Sequence, residues 1–175
     1  MRRFVWFLLF LVGEVAITGS VCAEPTTSAI AGKRIASPPT IDGVLSPGEW
    51  EGAARITPFW FLKDQRESDL PTVAYLAYAR EGIYAAFECH DPEPDKIMTQ
   101  EIRRGADLSK DDYVELAIET TGLGTELYAF RVNAGGTQDE TIPGGSASNV
   151  QWRGDWKAAV SRHNGGWSAE IFIPF

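Results

Sequence analysis

Histidine, methionine and cysteine are scarce, with two of each in 175 residues. A zinc centre wants several matched His or Cys ligands. Here His90 lies in the proline-stiffened loop His90-Asp91-Pro92-Glu93-Pro94-Asp95, and His163 precedes Asn164-Gly165-Gly166, which reads as a hairpin tip. Haem fares no better, because Met98 and His90 flank that same loop with no apolar pocket evident between them. No Ser-His-Asp or Cys-His set is visible. Basic charge is short as well: 16 Lys and Arg stand against 24 Asp and Glu, a formal net charge of -8, and the cations are scattered. A chain without a cationic stripe has no footprint for phosphates, which excludes nucleic acid as a partner. Long apolar runs are missing too. The nine residues Phe4 to Val12 are too few to span a bilayer, and no long stretch repeats with helical periodicity.

What is present is alternation. Aromatic residues make up 11% of the chain, with 17 Gly and 10 Pro cutting apolar stretches into short pieces, the pattern of a turn-rich antiparallel β protein. The clearest stretch is Asp111 to Asn133. Val114, Leu116 and Ile118 alternate with Tyr113, Glu115, Ala117 and Glu119; after a glycine-bearing turn, Tyr128, Phe130 and Val132 alternate with Ala129, Arg131 and Asn133. With the oily sides in one core, Glu115 and Arg131 emerge together on the other face. They form either a functional pair or an ordinary cross-strand ion pair.

Met1 to Ala23 reads as an export signal, with Arg2 and Arg3, an apolar run, and small residues before a cleavage point after Ala23. Cleavage there leaves Cys89 alone, so no internal disulfide is expected. Residues 24–39 form a flexible leader and 40–175 the domain. Trp50, Trp156 and Trp167 fall in core-like positions, whereas Trp60 and Trp152 stand outside the alternation and are candidate stacking surfaces. Two further hairpin strands are expected over 71–80 and 82–90, the first with Val73, Tyr75, Ala77 and Ala79 on one face. Ile97 to Arg104 reads as a short polar strand and Ala134 to Val150 as a long loop. Asp107, Asp111 and Asp112 could give oxygens to calcium, although the spacing is not that of an EF-hand; the same residues also suit local turn hydrogen bonds. A glycosidase needs two carboxyls about 5–9.5 Å apart. Glu115 and Glu119 share a face but lie four residues apart, about 13 Å along a strand.

In this order and at these intervals, IDGVLSPGEW, GIYAAFECHDPEPDKI, DDYVELAIE, YAFRVN and GWSAEIFIPF resemble the family 9 carbohydrate-binding modules and their relatives in secreted bacterial proteins. The resemblance covers about residues 40–175. It implies an all-β antiparallel sandwich of jelly-roll or immunoglobulin-like form, a non-catalytic sugar-holding role, and calcium as a structural ion. It places an acid and an arginine that bond sugar hydroxyls at Glu115 and Arg131, with Asn133 beside them. The departure lies in the stacking Trp pair: one would fall near Ser109, and the other in a segment beyond Phe175. The last strands are therefore expected to be missing, and the chain to be part of a longer protein that acts on or imports polysaccharide. The expected partner is an oligo- or polysaccharide, and the expected location is periplasmic, cell-surface or extracellular. The alternative is a structural or docking domain of an outer-membrane or multidomain protein without a working sugar site.

Overall fold

The computed structural model describes residues 30–61, 66–124, 126–143 and 153–175, together with the backbone of 8–10. Its strands in chain order are β1 (Leu8–Phe10), β2 (Lys33–Arg34), β3 (Ala54–Ile56), β4 (Trp60–Phe61), β5 (Arg66–Glu67), β6 (Thr72–Tyr78), β7 (Gly82–His90), β8 (Tyr113–Glu119), β9 (Leu127–Asn133), β10 (Gln138–Thr141), β11 (Lys157–His163) and β12 (Gly166–Pro174). The described residues hold no α-helix, only a single 3-10 turn at Pro94–Lys96.

Two sheets face each other. One runs β1-β8-β9-β10; the other runs β11-β12-β7-β6-β2, with β3 also pairing to β6, and β4-β5 is a separate small ribbon. Val114, Leu116, Ile118, Phe130 and Val132 from the first sheet meet Leu76, Phe87, Trp167, Ala169 and Ile171 from the second in one buried core. Alternate residues of a strand reach opposite faces, so the chain is a β-sandwich, as expected. β1 lies parallel on the outer edge of β8, with Leu8 opposite Ala117. It belongs to the stretch read as an export signal.

One expectation holds with an addition, and one needs correction. On β6, Ala74 and Leu76 enter the main core, whereas Ala77 joins Trp50, Ala53, Ala79, Tyr84 and Ala86 in a second core on the far face, with Tyr75 packed against it. Both faces of that strand are apolar because residues 35–54 cover the outer one. Residues 97–104 form no strand. Their backbone is held by a side chain instead: the Gln100 and Glu101 amides donate to Asp111 at 2.8 and 3.1 Å.

The second core is pinned by a buried acid. Glu170 on β12 is fully enclosed, and its carboxylate accepts the Asp42 and Gly43 amides at 2.9 and 2.8 Å and the Trp50 indole N–H at 3.0 Å. This clamp ties the turn-rich segment that opens the domain to a strand about 120 residues later.

Candidate functional site

The hairpin of β8 and β9 sets Glu115 opposite Arg131, and β10 adds Asp139 on the other side of Arg131. All three side chains stand on the face turned away from the main core. Arg131 donates from Nε to Glu115 Oε2, and from Nη1 to Asp139 Oδ2 at 2.9 Å and Thr141 Oγ1 at 3.1 Å. Burial opposes its charge, but the Glu115 and Asp139 carboxylates outweigh that and raise its pKa. Glu115 is 1% exposed, and its second oxygen, Oε1, has no hydrogen-bond partner among the described residues. Nη2 of Arg131 is likewise without a hydrogen-bond partner among the described residues. A buried acceptor thus sits beside a guanidinium with donors in reserve, an arrangement suited to a group that both donates and accepts, such as a hydroxyl.

Tyr113 and Asp107 belong to the same cluster. Burial raises the Tyr113 pKa, and the charges of Glu115, Arg131, Asp107 and Asp139 all act on its phenol. Asp107 accepts the Ser109 amide and hydroxyl, each at 2.9 Å; these bonds hold its carboxyl below the usual range, with a smaller contribution from Lys110 and then Arg131.

Tyr113 also leads to a pocket, which it lines with Trp60, Phe61, His90, Asp91 and Asp112. Trp60 lies on β4 opposite Glu67 and is 52% exposed, so its ring is open to a ligand. The Arg66 guanidinium stacks 4.4 Å over the neighbouring Phe61 ring. Trp152 lies outside the described residues.

Asn133 serves as a loop clamp. It is fully buried, its Nδ2 donates to the Glu101 carbonyl at 2.9 Å and Asp111 at 2.7 Å, and its Oδ1 accepts the Gly135 and Thr137 amides. That leaves nothing for a sugar. Asp107, Asp111 and Asp112, the candidate calcium ligands, each accept hydrogen bonds within the chain. Asp111 holds Gln100, Glu101 and Asn133, Asp112 accepts the Met98 amide at 2.7 Å, and Asp107 serves Ser109. Among the described residues no three acid, His or Cys side chains converge as a metal site.

Sequence reading missed Asp139 and Thr141, because Gln138–Thr141 has no oily face to announce a strand. It also missed the ion pair of Arg104 with buried Glu140, at 3.0 Å.

No family model matches the chain. No curated protein matches it in sequence. Among solved structures, the fold is similar to a carbohydrate binding module family 9 from Caldicellulosiruptor kristjanssonii in complex with cellotriose, at 17% identity and TM-score 0.46, covering 82% of this chain and 68% of that one. The same module in complex with glucose aligns at 16% identity and TM-score 0.49, covering 82% and 69%. The likeness is one of fold, and the site stands on its own geometry.

Proposed function

We propose that the chain is a non-catalytic module of an exported protein and holds an oligo- or polysaccharide against the outer face of β8, β9 and β10. One observation carries the reading: the buried Glu115 Oε1 beside Arg131, without a partner among the described residues. A sugar hydroxyl there donates to the carboxylate and accepts from the guanidinium, and both bonds are charge-assisted. The exposed Trp60 ring, joined to this face through Tyr113, offers a surface for the CH side of a sugar. Residues 1–23 supply the export signal. Glycoside cleavage is disfavoured because Arg131 fills the space between Glu115 and Asp139, where a water or glycosidic oxygen would have to sit. Calcium has no role assigned at this face.

The two similar solved structures hold cellotriose and glucose, so short glucans are the first probes to try. Titration of the purified chain with cellobiose and xylobiose, followed by Trp fluorescence, should give a saturable change. Glu115→Gln and Arg131→Lys should weaken it about tenfold, roughly 1.4 kcal/mol. No response from a chain shown to be folded by near-UV circular dichroism would refute the proposal and leave the structural or docking domain as the better reading.

A further inference from the structure

We infer that this face prefers a sugar bearing a protonated amine, of the glucosamine type, over a neutral sugar, and a neutral sugar over a uronic acid. The inference rests on the sugar-binding reading above and specifies its ligand.

The reasoning begins with the local charge. Asp107, Glu115 and Asp139 gather around Arg131, and all four act on the Tyr113 phenol. Lys110 also acts on Asp107, so among the charges shown to act on this cluster three acids stand against two cations. Arg131 is already neutralised by two carboxylates, Glu115 and Asp139, with Thr141 Oγ1 taking a further N–H. A third carboxylate brought by a uronic acid would meet Asp139 and Asp107 as well as Arg131, and like charges at short range repel. An ammonium meets the reverse situation. Glu115 Oε1 is an enclosed carboxylate acceptor with no partner among the described residues, and an ammonium brings to it a full opposite charge that a neutral hydroxyl lacks. Asp139 is part-buried and Asp107 exposed, so both carboxylates favour an approaching cation.

The test is calorimetric titration of the purified chain with glucosamine, glucose, N-acetylglucosamine and glucuronate at a pH of about 6, where an amine of α-amino type is protonated. Glucosamine should bind about fivefold or more tighter than glucose. N-acetylglucosamine, which has no charge, should group with glucose, and glucuronate should bind weakest. Raising the ionic strength to about 1 M should bring glucosamine and glucose together, since the screening length falls to about 3 Å. Asp139→Asn and Asp107→Asn should each lower the glucosamine-to-glucose ratio. If glucose binds as tightly as glucosamine, if N-acetylglucosamine matches glucosamine, or if neither variant changes the ratio, the inference is overturned while the sugar-binding reading stands. If none of the four binds a folded chain that does bind cellobiose, the inference is overturned alone; if cellobiose is silent too, the sugar-binding reading fails and this inference goes with it.

Discussion

Replacing Glu170 by Gln tests how the front of the domain is fastened to its core. Glu170 sits between Ala159 of β11 and Ala86 of β7 in the pairing of β12, with no solvent exposure. One oxygen takes the Asp42 and Gly43 amides and the other takes the Trp50 indole. Gln keeps a single acceptor oxygen and turns an NH2 toward the remaining donor or donors. Each bond to a charged acceptor is worth about 1.5–3 kcal/mol, and removing a buried charge returns part of that, so the net loss should be about 2 kcal/mol at neutral pH. The pH dependence has a defined sign. Burial raises the Glu170 carboxyl above its ordinary pKa of 4.5 despite its donors. The folded state therefore binds the proton more tightly, and this contribution is fully present below the ordinary value and lost as pH rises through the raised one. Gln lacks it, so the stability gap between the two proteins should widen toward acid. Urea unfolding followed by Trp fluorescence across a pH series measures this as a shift in midpoint at constant m. A gap below about 0.5 kcal/mol, or one that narrows toward acid, would refute the clamp.

Gly43→Ala strikes the same clamp from the other side. Its φ is +87°, and an added Cβ would lie 2.5 Å from the Val160 carbonyl carbon, so thermal unfolding should show a loss of about 2–4 kcal/mol. Asp111→Ala strips the acceptor from the Gln100 and Glu101 amides and from Asn133. Amide exchange at residues 100 and 101 should accelerate and stability fall by about 2–4 kcal/mol; unchanged exchange contradicts the role given to that carboxylate. Any rise in Tm on adding calcium should survive Asp107→Asn, since that carboxylate serves Ser109. Loss of the rise in this variant would return the loop to calcium.

The β8–β9 hairpin was legible because its faces differ: Leu116 and Phe130 in the core, Glu115 and Arg131 outside, in the register that alternation requires. On β6 the same alternation holds, with Tyr75, Ala77 and Ala79 sharing a face, but Ala74 and Leu76 make the other face apolar too, and a period of two cannot then say which face meets which core. β10 is the opposite case, with four polar residues whose pairing is fixed by the backbone of β9 and by Arg131 rather than by an oily face of their own. The sequence also named acids without showing their direction. Asp111 has the chemistry of a cation ligand, but its oxygens turn inward to backbone amides more than ten positions away or nearly so, which no local spacing reveals. Glu170 lay hidden in a strand of apolar neighbours because its partners are at the far end of the domain.

The central claim concerns where a sugar sits, and a crystal structure of the chain with cellobiose tests it most directly. The account predicts a sugar hydroxyl within about 3 Å of Glu115 Oε1 and within hydrogen-bond reach of the Arg131 guanidinium. A sugar bound to a folded chain on another surface, with Glu115 Oε1 untouched, would contradict it.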